Sequence, residues 1–179
     1  MREQSDQRSE SVDFDMTTEW TFRVEPEELT AIVLDPERLD QWCSRVFLKA
    51  DVIEKGRPDG LGMKMHLHAK GKLPFSFDFF AEITELVRHK SMTITLNGDF
   101  EGVGESRSEP IGDGLCISKM RWKVDVHQRQ IKPFLFILKP IGRLNHDWAV
   151  RRVCMQLQKE IDRRRDESKL LERTEATSP

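Results

Sequence analysis

The sequence predicts an α+β domain: a curved antiparallel sheet of about seven strands wrapped around one long C-terminal helix, with two short helices after the first strand. Three observations carry this reading. Stretch after stretch between residues 13 and 127 suits a strand, most of them alternating apolar and polar side chains with a period of two. The links between them are short turn signals, "GRPDG", "GKLP", "RHK", "NGD" and "IGDG", which favour antiparallel pairing of neighbours. From about Pro140 the apolar period becomes helical.

The elements follow in order. In "FDMTTEWTF" Phe14, Met16, Thr18, Trp20 and Phe22 share one face, opposite Asp15 and Glu19, as in a half-buried strand. Pro26 suits a first helical turn, and Asp35-Pro36 marks a second start, giving two short helices. Strands are expected at about 46–54, 62–70, 75–87, 90–97, 100–109 and 115–127. In the last helix Ala149, Val150, Val153, Leu157 and Ile161 keep helical spacing, and "EIDRRR" ends it in solvated charge. A sheet with one apolar face needs a cover, and this helix is the only long one available. Residues 13–165 thus form the domain; 1–12 and 166–179 read as disordered tails.

Bulk properties exclude several classes. A charged fraction of 34% with net charge −2 gives no one-sided basic field, so no nucleic-acid partner is expected. Three widely spaced cysteines, Cys43, Cys116 and Cys154, suggest a reducing cytoplasm rather than a disulfide framework. The polar N-terminus lacks the apolar region of a signal peptide, and "FLFIL" is too short to span a bilayer.

The phrases "EPEELTAIVLDPERLDQW", "GDFEGVGESRSEP", "KMRWKVDV" and "NHDWAVRRVCMQLQKEIDRR" resemble the START-like (SRPBCC) superfamily, and most of all its bacterial polyketide cyclase/dehydrase and lipid-transport-like branch. The resemblance spans about residues 13–165. It implies the helix-grip fold and a cavity between sheet and helix for lipids, sterols, polyketides or other apolar molecules. A minority of members catalyse cyclisation or dehydration, and the fold alone does not choose between the two.

Alternation assigns the faces. The inner face receives Met63, Met65, Leu67 and Ala69, then Phe75, Phe77, Phe79, Ala81 and Ile83. Met92, Ile94 and Leu96 follow, and then Met120, Trp122, Val124 and Val126. The candidate cavity wall is drawn from these together with the first strand: Trp20, Phe22, Met65, Leu67, Phe77, Phe79, Met92, Ile94, Met120 and Trp122, with Asn145, His146 and Val150 from the helix. Trp42 is a further aromatic candidate, and flexible methionines suit a wall that adapts to its ligand.

His146 shares the helix face of Val150, Val153 and Leu157, and is the best candidate for chemistry. Leu144, Trp148 and Met155 fall nearly opposite, so a second segment, "FLFILKPI", is expected to cover that side. His66 and His68 alternate to the outer face with Asp78. They read as a solvated cross-strand cluster, the alternative being three metal ligands. "GRPDGLG" and "NGDFEGVG" read as turns, alternatively as rims of the cavity. "KPFLFILKPIGR" is the lead-in to the long helix, alternatively a site of transient membrane contact.

The functional expectation is a cytoplasmic binder of an apolar small molecule or lipid of the polyketide, fatty acid, isoprenoid or quinone class, with no cofactor. The alternatives are an aromatase/cyclase- or dehydratase-type enzyme using His146, and a protein-interaction module.

Overall fold

The structure, a computed structural model, describes residues 13–35, 38–129, 131 and 135–176, with the backbone alone at 135–139 and 174–176. The readings made for residues 1–12 and 177–179, and for the side chains of 132–139, lie outside the described residues.

Strands and helices succeed one another as β1 (Phe14–Phe22), α1 (Pro26–Val33), α2 (Leu39–Trp42), β2 (Phe47–Glu54), β3 (Lys64–Lys70), β4 (Ser76–Val87), β5 (Ser91–Gly98), β6 (Phe100–Gly112), β7 (Leu115–Val126) and α3 (Leu135–Ala176). The seven strands form one antiparallel sheet in the order β1-β7-β6-β5-β4-β3-β2. Every neighbouring pair except β1–β7 is consecutive in sequence, as the short turns require. α1 and α2 carry the chain from one edge strand to the other.

Irregularities bend the sheet. Register shifts interrupt β2 twice, the β4–β5 pair at Ile83/Glu85 and the β6–β7 pair at Pro110/Gly112. Such bulges increase local twist and let a sheet curl round a helix. Gly102 serves the same curvature: with φ at 144°, a Cβ there would lie 2.2 Å from the Lys123 carbonyl oxygen.

The core has two parts. One gathers Phe14, Leu67, Phe77, Phe79, Leu96 and Val124 on the inner face of the sheet. The other packs Phe22, Leu29, Ile32, Leu157 and Ile161, locking α1 and β1 onto the distal half of α3.

Four expectations about α3 are corrected. It starts at Leu135, before Pro140, so this proline sits inside the helix and forfeits one backbone bond rather than opening the first turn. At the other end it runs past Arg165 to Ala176, aided by the Arg163–Glu167 ion pair. The three arginines are not a free solvated end. Arg165 pairs with Glu28 of α1 at 2.8 Å, and Arg164 bridges Asp35 and Glu160 at 2.8 and 2.9 Å. The second apolar side of α3 also departs from expectation: its expected cover is from Leu135 on the start of the same helix, and Leu144 and Met155 are 70% and 47% exposed while Trp148 is half-buried.

Candidate functional site

A cavity of about 260 Å³ lies between the inner face of the sheet and the first half of α3. Alternation in β4 points Phe77 and Phe79 into it, and alternation in β7 adds Met120, Trp122 and Val124. Helical spacing in α3 presents Asn145, His146, Ala149 and Val150 from the other side. Phe100 completes an aromatic floor, stacked on Phe77 with ring centroids 4.5 Å apart and edge-on to Phe79 at 5.4 Å.

Not every candidate residue lines this space. Trp20, Phe22 and Met92 border a smaller cavity of about 110 Å³, which shares Met120, Val150, Val153 and Cys154 with the larger one. Met65, Leu67 and Ile94 line neither. Leu67 is buried in the core, Met65 packs beside it, and Ile94 fills the space above Gly104, where a Cβ would meet its Cγ1 at 3.0 Å. Trp42 packs on the second core cluster. The 56–62 loop borders neither cavity, whereas Phe100 of the 97–104 stretch does. Phe14, Phe100 and the 70–73 turn are lining groups beyond the sequence reading. The alternation of β1 was a usable signal for Phe14.

His146 is the unusual group in this wall. Its side chain is 18% exposed, and both ring nitrogens are buried without a hydrogen-bond partner. Asp147 Oδ1 stands 3.8 Å from Nδ1, beyond hydrogen-bond reach. Trp122 meets the imidazole edge-on with centroids 6.3 Å apart. Burial holds the His146 pKa below the ordinary histidine range, with Asp147 opposing weakly. The ring is therefore neutral at pH 7, with one nitrogen able to donate and one to accept.

Asn145 has a different job from the one its position suggested. Its Oδ1 accepts hydrogen bonds from the backbone N–H groups of Lys72 (2.7 Å) and Leu73 (3.2 Å), latching the β3–β4 turn to α3 at the cavity rim. Gly71 makes room for it, since a Cβ there would fall 2.1 Å from Oδ1.

Nucleophilic cysteine chemistry finds no support. Burial pushes the Cys154 thiol, which lines the cavity, up to about 11, and Cys43 likewise up to about 11. On the outer face Asp78 bridges both histidines, 2.5 Å from His66 Nε2 and 3.2 Å from His68 Nδ1. The His66 hydrogen bond holds its carboxyl below the usual range against the opposing effect of burial, with the His68 bond adding to the lowering. His66 also stacks on Phe80 at 4.8 Å. Among the described residues no group of three or more His, Cys, Asp or Glu is arranged to hold a metal ion. Among them, too, no helix is long and apolar enough to cross a membrane.

Residues 13–164 match the family model described as polyketide cyclase / dehydrase and lipid transport. The chain belongs to this family. The helix-grip architecture is like that of solved structures, a START superfamily protein among them. A START superfamily protein from Mycobacterium smegmatis superposes with a TM-score of 0.67 at 15% identity, over 83% of this chain and 97% of the other. The Zhui aromatase/cyclase from Streptomyces sp. R1128 gives 0.66 at 9% identity, over 84% and 94%. A norcoclaurine synthase point mutant from Thalictrum flavum gives 0.56 at 14% identity, over 85% and 96%. At these identities the likeness concerns the fold. Comparison with curated protein sequences returns no match.

Proposed function

We propose that the chain binds an apolar small molecule or lipid, of the polyketide, fatty acid, isoprenoid or quinone class, in the cavity between sheet and α3. The observation that supports this best is the wall itself: phenylalanines, a tryptophan and aliphatic side chains enclose the space, and His146 supplies an unspent donor and acceptor. Affinity comes from burying apolar ligand surface, at about 25 cal/mol per Å², while His146 orients a polar group. The three free thiols suit a reducing compartment such as the cytoplasm.

The test is titration of detergent-free protein with a fluorescent fatty acid and a quinone analogue. Saturable binding that weakens about tenfold or more in Trp122→Ala is expected, the loss of an aromatic wall residue being worth over 1 kcal/mol. Absence of saturable binding across a varied apolar panel overturns the reading.

The unpartnered ring of His146 favours a second reading, a cyclase- or dehydratase-type enzyme in which the neutral imidazole takes or gives a proton on a bound polyketide-like substrate. Turnover lost in His146→Gln with binding retained would support it. Turnover that survives the substitution would remove His146 from any catalytic role.

A further inference from the structure

The smaller cavity differs from its neighbour in one chemical respect. The larger cavity has no serine or threonine in its wall. The smaller has Thr18, Thr30, Ser91, Ser106, Ser108 and Ser118, the Thr30 hydroxyl being spent on the Pro26 carbonyl at 2.8 Å. Strand register explains the cluster: Ser108 stands opposite Ser118 across β6–β7, and Ser106 faces Met120 on one side and Met92 on the other. At this end of the sheet the inner face turns from aromatic to hydroxyl.

These hydroxyls are incompletely used. Ser108 Oγ donates to Ser118 Oγ at 3.2 Å, which leaves the Ser118 proton free to donate elsewhere. Ser106 Oγ reaches only a long 3.4 Å bond to the Met92 carbonyl. His89, in the β4–β5 turn, is held in the left-handed region at φ 61°, borders the same space and buries Nδ1 without a partner. No carboxylate lines the chamber, and its one ammonium, on Lys90, belongs to an exposed residue. A buried charge would therefore lack a paired counter-ion, whereas neutral oxygens find donors and acceptors together.

We propose that this chamber is a subsite for the carbonyl or hydroxyl end of an elongated ligand whose apolar part fills the larger cavity. The two spaces meet at Met120, Val150, Val153 and Cys154, a boundary without charged groups. Met120 carries an adaptable side chain there. The proposal rests on the ligand-binding reading above and narrows its class to molecules apolar along their length and oxygenated at one end.

The test compares heptylnaphthalene with its ring-hydroxylated and ring-acetylated counterparts, which share one skeleton. Wild-type protein should bind the two oxygenated probes about tenfold tighter than the hydrocarbon, the size of one or two well-placed hydrogen bonds. The Ser108→Ala/Ser118→Ala variant should lose that preference while keeping its affinity for the hydrocarbon. Ser106→Val, at a neighbouring strand position, provides an independent variant whose loss of preference also supports the subsite. Equal affinity of the wild type for all three probes means that water alone occupies the hydroxyls, and overturns the subsite. A parallel loss for every probe in the serine variants overturns it as well. Binding of none of the three overturns the ligand-binding reading beneath it.

Discussion

Replacing His146 by leucine tests what the buried imidazole costs the fold and what it contributes to binding. Both ring nitrogens are buried without a partner, and the ring sits against Trp122 and the apolar wall. An unsatisfied buried polar group costs about 1–3 kcal/mol, whereas an apolar group of similar shape carries no such penalty. Leucine is close to imidazole in size, so His146→Leu should stabilise the empty protein by about 1–2 kcal/mol. For a chain of this length that is a rise of roughly 2–8 °C in Tm. The gain should grow as pH falls. Burial lowers the His146 pKa, so the unfolded chain binds a proton more readily than the folded one. Wild-type stability therefore declines as pH drops below about 6.5 toward the depressed folded value, and the leucine variant lacks this component. Urea denaturation at pH 7.5 and pH 5.5 measures both effects, and titration with a ketone-bearing probe measures binding. The variant should be more stable yet discriminate less well between ligands whose polar group reaches position 146. A loss of more than about 1 kcal/mol at both pH values would refute the reasoning, because it would mean that the imidazole has its partners in solution.

Two further outcomes follow from groups around the cavity. Asn145→Ala removes the latch on the Lys72 and Leu73 amides and should cost about 1–3 kcal/mol and speed ligand release, read by denaturation and stopped-flow dissociation. Gly71→Ala drives a Cβ into the same amide, so the two substitutions should be clearly sub-additive; strict additivity would mean that they act separately. Glu160, 5% exposed and bonded to Arg163 and Arg164, has its pKa pushed down to about 2. Its contribution is complete above its ordinary 4.5 and fades as pH falls toward about 2. Glu160→Gln should cost about 2 kcal/mol at pH 7, with the gap to wild type closing in acid.

The fold was legible because two periods of different length carry it. Strand alternation together with the turn signals located all seven strands to within a few residues at each end, and the switch of period after β7 located the covering helix. What failed were the ends of α3. A proline usually opens a helix, and a charged run usually closes one, yet here Pro140 lies inside the helix and Arg164 and Arg165 find carboxylates on Asp35 and Glu28. Those partners are far away in sequence, so no local pattern announces them. The aromatic part of the cavity was legible for the same reason as the strands: Phe77, Phe79 and Trp122 follow from alternation alone. Facing inward did not suffice for Met65, Leu67 and Ile94. A curved sheet closes tightly over its core in some places and stands away from the helix in others, and a period of two cannot tell these apart.

The hydroxyl end was harder to see, because its serines carry no apolar alternation that would assign them a face. In "GVGESRSEP" no apolar residue alternates, so the pattern assigns Ser106 and Ser108 to neither face. Pairing does assign them: Ser106 falls opposite Met120 and Ser108 opposite Ser118, both on the face that α3 covers. Small hydroxyls placed indoors give up apolar burial that larger side chains would supply. A protein that needed only a stable core would fill this space, as it does around Leu96 and Ile161. The same trade recurs at His146, an imidazole buried without partners on the helix that faces the sheet. Local departures from the best core cluster where function resides. Here the two departures border cavities that share Met120, Val150, Val153 and Cys154, and that shared wall is the ground for proposing one ligand across the aromatic cavity and the serine chamber.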